Sequence, residues 1–173
     1  MDSEKSGAQS ITTTRSVALS ITDPAMPGFL LIVKRPPDDP DLPDVWGLPA
    51  ASRRPGESWL DAANRAARDK LGVDITITKE IGRGKRTRET GILELRLFAA
   101  KVRQGRPRVP QAVPSVTQYV ALKWALTDAL EAGARAGSLC CRLQLGWPSE
   151  DQPLAGLPAP DTATAAMDIT RGR

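Results

Sequence analysis

The chain has 173 residues, a length that suits one domain able to bury a core without disulfides or structural metal. Charged residues make up 25% and hydrophobic residues 40%, no apolar run approaches the roughly 20 residues of a membrane span, and no secretory signal is recognisable, so we expect a cytoplasmic globular protein. A net charge of +4 favours anionic partners, and the lack of any histidine excludes Ser/His/Asp and Cys/His catalysis and histidine-ligated zinc.

The first predicted elements follow residues 1–10, which are polar and small and are expected to form a flexible leader. β-Branched and alternating apolar residues predict a strand over residues 12–21, and the apolar run 29–33 predicts a second, buried strand. Residues 35–44 are rich in proline and are expected to form an exposed loop.

The second half of the chain predicts three further strands, over residues 74–81, 92–102 and 116–124. Thr127 is a plausible N-cap for a helix that runs to about residue 136, where Gly137 can end it. Residues 147–173 are rich in proline and alanine without periodicity, which predicts a disordered tail. Residues 11–146 are therefore expected to form one mixed α/β domain.

A run of basic residues occupies positions 83–88, with the sequence Arg-Gly-Lys-Arg-Thr-Arg. Such a run is commonly a solvated face, and it could also form a phosphate-facing rim or a weak nucleic-acid patch. No aromatic residue is interleaved for base stacking, which argues against single-stranded nucleic acid as the partner. The adjacent Cys140 and Cys141 have poor geometry for a disulfide and read as ordinary thiols.

A helix after residue 57 can be predicted from local signals alone. Ser58 is a good N-cap with Asp61 three residues later, and Gly72 can close the helix in the left-handed conformation. One apolar stripe at helical spacing is predicted to be buried: Leu60, Ala63, Ala67 and Leu71.

Charged residues share another face of this helix. Asp61, Arg65 and Asp69 stand at i, i+4 and i+8, so Arg65 can hold the two carboxylates in place. A surface ion-pair ladder is the alternative interpretation. The turn before the helix brings Glu57 to its N-terminal mouth.

The segment WGLPAASRRPGESWLDAANRAARDKLGV, residues 46–73, resembles the Nudix box, G-x5-E-x7-R-E-U-x-E-E-x-G-U, where U is aliphatic. Four residues match the motif and set its register: Glu57, Arg65, Gly72 and Val73. Four positions depart from it, with alanine at the first glycine and other residues at the three glutamates: Ala51, Ala66, Asp69 and Lys70. The likeness runs from about residue 12 to 145 and implies an α/β/α sandwich around a mixed β-sheet.

The resemblance also implies a chemistry, namely water attack on a diphosphate linked to another moiety, commonly a nucleoside, with Mg²⁺ or Mn²⁺ held by the box. In this sequence the catalytic and metal-binding residues would be Glu57 and Asp69 around a single weak ion, oriented by Arg65. An assisting carboxylate could come from any of three positions: Glu89, Glu94 or Glu131. The residues expected to meet substrate phosphates are Lys70, Arg53, Arg54 and Arg35.

Three functions follow from these residues. The first is a Nudix-type hydrolase of a nucleoside diphosphate-linked or related pyrophosphate substrate, with a reduced metal site. The second is a non-catalytic Nudix-fold module that binds a nucleotide or another phosphorylated ligand, with Lys70 meeting a phosphate directly. The third is a nucleic-acid or protein-interaction module. No membrane partner is expected, and a homodimer would be in keeping with the fold.

Overall fold

The structure is a computed structural model that describes residues 10–149, except residues 110, 112, 114, 115 and 117. The strands of the described residues are β1 (Thr13–Thr22), β2 (Phe29–Lys34), β3 (Trp46–Gly47), β4 (Ala50–Ser52), β5 (Asp74–Arg88), β6 (Gly91–Gln104) and β7 (Ala121–Leu126). The helices are α1 (Trp59–Leu71), a 3-10 turn (Thr127–Leu130), α2 (Glu131–Arg135) and α3 (Leu139–Leu145). The predicted leader and tail lie outside the described residues, apart from residue 10 and residues 147–149.

The strands form one mixed sheet. Its main path is β3-β2-β1-β6-β5, with β4 added beside β1 and β7 beside β2. β1 and β6 run parallel along their length, whereas β5 and β6 form a long antiparallel hairpin with three register shifts. β1 therefore lies at the centre of the sheet, where its residues from Val17 to Ile21 are buried.

Helices cover both faces of this sheet because the side chains of its central strands alternate. Val17, Leu19 and Ile21 of β1 pack in one cluster with the alanines of α1. Ala18 of β1 and Ile32 of β2 pack in the opposite cluster, with the 3-10 turn, α2 and α3. This arrangement confirms the predicted α/β/α sandwich around a mixed sheet.

Helix α1 has the predicted ends. The Ser58 hydroxyl accepts a hydrogen bond from the Asp61 backbone N–H at 3.0 Å, and Gly72 closes the helix with φ of 68°. The predicted buried stripe was wrong at Leu60, which is exposed. The alanines carry the buried face instead, since their small side chains let the helix approach the sheet: Ala62, Ala63, Ala66 and Ala67.

The C-terminal part departs further from the sequence prediction. The last strand begins at Ala121 rather than at residue 116. Thr127 opens a 3-10 turn without a side-chain cap, so the predicted N-cap was wrong, although Gly137 ends the helical segment at a φ of 97° as expected. Helix α3 was not predicted, because its seven residues are too few to show a clear helical periodicity.

Strand β5 extends seven residues beyond the predicted end at residue 81 and includes the basic run. Alternation along the strand divides that run between two faces. Arg83 and Lys85 point outward and pair with Glu80 and Glu94. The described residues contain no helix that is both long enough and apolar enough to cross a bilayer.

Candidate ligand-binding cavity

A cavity of about 290 Å³ opens beside the C-terminal half of α1. Its walls come from β1, β4, β5, β6, the proline-rich loop after β2, and α3. The box segment contributes residues 50–52 and Lys70. The loop, the box and the C-terminal helices therefore meet at one opening, although they are far apart in sequence.

The charged residues of the cavity are mostly cations. Its lining includes four basic side chains, Arg35, Lys70, Arg86 and Arg88, and two carboxylates, Asp39 and Asp41. Four positive and two negative charges leave a formal excess of +2 in the lining. An anionic group with about two negative charges would complement this excess.

The loop holds Arg35 in place through Asp39. The Asp39 carboxylate accepts backbone hydrogen bonds from Leu42 at 2.9 Å and Asp41 at 3.0 Å, and both of its oxygens lie 3.2 Å from Arg35 Nη1. Burial alone would raise the pKa of Asp39, but these donors outweigh it and the pKa is lowered. The carboxylate is therefore ionised and orders both the loop and Arg35.

Lys70 reaches the cavity from the last turn of α1. Its Nζ lies 4.9 Å from the centre of the Tyr119 ring, which is almost fully buried. Burial, together with the nearby Arg35 charge, lowers the pKa of Lys70 to about 8. The Tyr119 hydroxyl is occupied elsewhere, since it accepts from the Ala50 N–H at 2.9 Å and donates to the Ala50 carbonyl at 3.2 Å.

Arg86 and Arg88 enter the cavity from β5 on the face opposite Arg83 and Lys85. Each guanidinium lies 3.7 Å from the Asp41 carboxylate, which is longer than a hydrogen bond. Arg88 Nε is buried and has no hydrogen-bond partner among the described residues. Hydrogen-bonding capacity on Arg88 is thus left for an anion, and Arg86 makes only the same long contact to Asp41.

Glu57 and Arg65 form the tightest ion pair of the box. Glu57 accepts bonds from Arg65 Nε at 2.7 Å and Nη2 at 3.0 Å, and from the Arg54 backbone N–H at 2.9 Å. The bonds from Arg65 lower the pKa of Glu57 to about 2, with smaller contributions from Arg54. Arg65 Nη2 also donates to the Ser52 carbonyl at 2.7 Å, so the pair ties the helix to the preceding loop.

These contacts limit what the box can offer a divalent cation. Both oxygens of Glu57 already accept bonds, and Asp69 lies 3.9 Å from Arg65 Nη1. Ala66 is fully buried in the core, and Lys70 brings a positive charge. Within the described residues, no group of three or more carboxylates or thiols is placed to hold a metal. The box therefore does not fit a multi-metal cluster.

The predicted site residues fall into two groups. Lys70 and Arg35 line the cavity together. Five others are not among the described residues that line the cavity: Arg53, Arg54, Glu57, Arg65 and Asp69. Arg53 stacks on Trp59 at 4.9 Å instead.

The three candidate assisting carboxylates also lie away from the described lining. Glu94 pairs with Arg15 at 3.1 Å and with Lys85 at 3.0 Å. Glu89 is exposed at the turn between β5 and β6, and Glu131 begins α2.

The sequence did not mark four residues as part of a site: Asp39, Asp41, Tyr119 and Cys140. It marked Arg86 and Arg88 only as members of a basic run that could form a phosphate-facing rim. The alternating pattern of residues 83–88 was the available signal for these two arginines, because a strand there places both on one face. Nothing local marks Asp39 or Tyr119, whose roles depend on tertiary contacts.

Comparison with known proteins gives a consistent picture. The sequence profile of the NUDIX domain matches residues 12–137. A NUDIX hydrolase from Nitrosomonas europaea superposes with a TM-score of 0.61 at 18% identity, covering 88% of this chain and 100% of that one. The E. coli ORF135 protein has a TM-score of 0.58 at 22% identity, covering 79% and 91%. A MutT NUDIX hydrolase from Burkholderia pseudomallei has a TM-score of 0.57 at 20% identity, covering 68% and 85%. A comparison with curated protein sequences gave no match.

Proposed function

Because the chain belongs to the Nudix family, we propose that its cavity binds a phosphorylated ligand, with a nucleotide or another diphosphate as the first candidate. The observation that carries this proposal is the excess of basic side chains in the lining, where Arg35, Lys70, Arg86 and Arg88 face two carboxylates. In this proposal Lys70 and Arg35 contact one phosphate group, and Arg86 and Arg88 contact another.

The reason is electrostatic. A diphosphate carries its charge on several oxygens, and a binding site must neutralise it with cations from the protein or with metal ions. The box has lost most of the carboxylates that could hold metal, whereas Lys70 stands at one of those same positions and faces the cavity. Side-chain cations therefore take over the role of metal in binding, and EDTA should not prevent it.

Calorimetric titration of the protein with inorganic pyrophosphate and ADP, in the presence of EDTA, tests the proposal. We expect binding that Lys70→Met weakens by about tenfold or more, since a hydrogen bond to a charged group contributes about 1.5–3 kcal/mol. Arg68→Met is the matched control, because Arg68 is exposed on the same helix and does not contribute to the described lining. Equal losses in the two variants, or no binding by the wild type, would refute the proposal.

Hydrolysis of a nucleoside diphosphate-linked substrate is the second candidate, and it is favoured by the family and by Asp69, which keeps a carboxylate in the box. Asp69 would then hold a single Mg²⁺ or Mn²⁺, with Glu57 close by and the remaining ligands from phosphate and water. The ion would supply charge neutralisation and a more acidic water. Arg65 would keep both carboxylates in position.

The products formed from nucleoside diphosphates, triphosphates and nucleotide sugars, with either metal, separate the two candidates, because hydrolysis of the diphosphate yields a nucleoside monophosphate. Metal-dependent turnover that Asp69→Asn abolishes would establish the hydrolase. Asp69→Asn is the informative variant because Asp69 makes only a long contact to Arg65, whereas Glu57→Gln also breaks the tight ion pair. Binding of pyrophosphate without any turnover would instead leave a ligand-binding module.

A further inference from the structure

We propose that Cys140 is a nucleophilic thiol on the cavity wall, which small electrophiles that enter the cavity modify covalently, hydrogen peroxide being the simplest of them. Cys140 lines the cavity beside Leu139 and Ser138. Its neighbour Cys141 points away from the cavity, toward the Trp46 carbonyl at 3.9 Å and the backbone of Gly47. The two adjacent cysteines are thus placed for different roles.

The Ser138 hydroxyl lies within hydrogen-bonding distance of the Cys140 sulfur. The Ser138 hydroxyl oxygen lies 3.3 Å from Cys140 Sγ, and both residues are buried. Four basic side chains line the same cavity, against two carboxylates. A hydroxyl partner and an excess of nearby cations stabilise a sulfur as the thiolate, which is the reactive form of cysteine.

The charges of the cavity favour a thiolate on balance, since its four cations outnumber the carboxylates of Asp39 and Asp41. The pKa of Cys140 is lowered against the effect of burial, first by its contact with the adjacent Cys141 thiol and then by Ser138, Leu48 and the Arg35 guanidinium. The other titratable groups nearby are Tyr119, whose pKa burial raises to about 12, and Cys141, whose pKa is raised by the same contact and by burial. Tyr119 is therefore neutral, and Arg35 is the charge that favours the Cys140 thiolate.

The reaction with peroxide can be written in balanced form. The thiolate sulfur attacks one oxygen, an S–O bond forms, the O–O bond breaks, and hydroxide leaves with the electron pair. The sulfur is oxidised by two electrons and the peroxide is reduced. Closure to a Cys140–Cys141 disulfide is disfavoured, because neighbouring Cα atoms are closer together than disulfides usually require. The product is a sulfenic acid that occupies part of the cavity.

Alkylation kinetics of the full chain, with the modified residue identified by mass spectrometry, test the proposal. An ordinary thiol with a pKa of about 8.5 reacts roughly 100-fold faster at about pH 9.5 than at about pH 6.5, since its thiolate fraction rises by that factor. We expect a rise of less than about tenfold for Cys140. This ratio does not depend on how far burial slows access. A rise of about 100-fold, or modification only after unfolding, would overturn the proposal.

The charge of the reagent supplies a second measurement. Relative to the unfolded chain, the folded protein should favour iodoacetate over iodoacetamide, because the cavity attracts anions, and Arg86→Met should reduce that preference. Cys141→Ser should keep the modification and Cys140→Ser should abolish it, with both variants checked for folding by circular dichroism. Equal labelling of both cysteines in the folded protein would contradict the proposal. With peroxide, one oxygen atom should be added at Cys140.

The same alkylation experiment also tests the proposed binding of pyrophosphate, and the two proposals can fail independently. If pyrophosphate binds in the cavity, it should slow the alkylation of Cys140. Cys140 labelling with the shallow pH profile but without protection by pyrophosphate would count against the phosphate site alone, whereas an ordinary pH profile would count against the thiolate alone.

Discussion

Glu57→Gln removes the carboxylate charge of the box ion pair while keeping the side chain's size. The Glu57 and Arg65 side chains are 13% and 14% exposed, so solvent screens the pair only in part. A pKa lowered from its ordinary 4.5 to about 2 corresponds to roughly 3 kcal/mol at about 1.4 kcal/mol per pH unit. Because glutamine can still accept one bond and some screening remains, we expect a loss of about 1–3 kcal/mol in the free energy of unfolding.

The dependence on pH has a definite sign. A carboxylate whose pKa is lower in the folded state stabilises the protein above its unfolded pKa, and this stabilisation is lost as the pH falls from about 4.5 to about 2. The wild type should therefore exceed the variant at about pH 7 by roughly 3–10 °C in Tm, and the difference should shrink in acid. Glu89→Gln, at an exposed turn, should change little.

Urea and thermal unfolding of the three proteins, followed by circular dichroism, provide the assay. Equal stability of wild type and Glu57→Gln near neutral pH, or a difference that grows in acid, would refute a structural role for the ion pair. A confirmed role would also mean that lost activity in Glu57→Gln is no proof of metal binding.

Three further outcomes are expected. Pyrophosphate affinity should fall as the pH rises through about 8, where Lys70 loses its proton, and calorimetry should show that Lys70→Met removes this dependence. Gly137→Ala should destabilise the chain by about 1 kcal/mol or more, because alanine is strained at a φ of 97°, and should weaken pyrophosphate binding because its Cβ would lie 3.3 Å from Arg86 Nη2. Tyr119→Phe should lower the free energy of unfolding in urea by about 1–3 kcal/mol, since it removes the hydrogen-bond partner of the partly buried N–H and carbonyl groups of Ala50.

Features with local causes could be predicted from the sequence. Ser58 and Gly72 cap α1 through contacts within a few residues, so both ends of the helix were predictable. The buried face of the same helix was predicted less well, because the prediction placed the large apolar side chain of Leu60 in the core. Leu60 lies in the first turn and faces solvent, and the core takes the smaller Ala62 and Ala66.

The residues of the cavity could not be identified from the sequence, because the register of the strands that carry them depends on tertiary structure. Strand β5 pairs with β6 over 15 residues with three register shifts, and these decide where Arg86 and Arg88 emerge. Asp39 depends on how the proline-rich loop folds back on Arg35. The matched motif therefore predicted the fold, and the sequence also pointed to Lys70 and Arg35, whereas the placement of Arg86 and Arg88 in the cavity needed the structure.

The charges around Lys70 decide which ligand this pocket should favour. A divalent cation near Asp69 would gain little net attraction, because Arg65 neutralises Glu57 and the charge of Lys70 offsets that of Asp69. A phosphate group would be bound more favourably, since Lys70 and Arg35 attract it. It would also accept hydrogen bonds from Arg88, which makes only a long contact to Asp41. Anion binding should therefore precede metal binding, and any metal that acts here should enter with the phosphate that carries it.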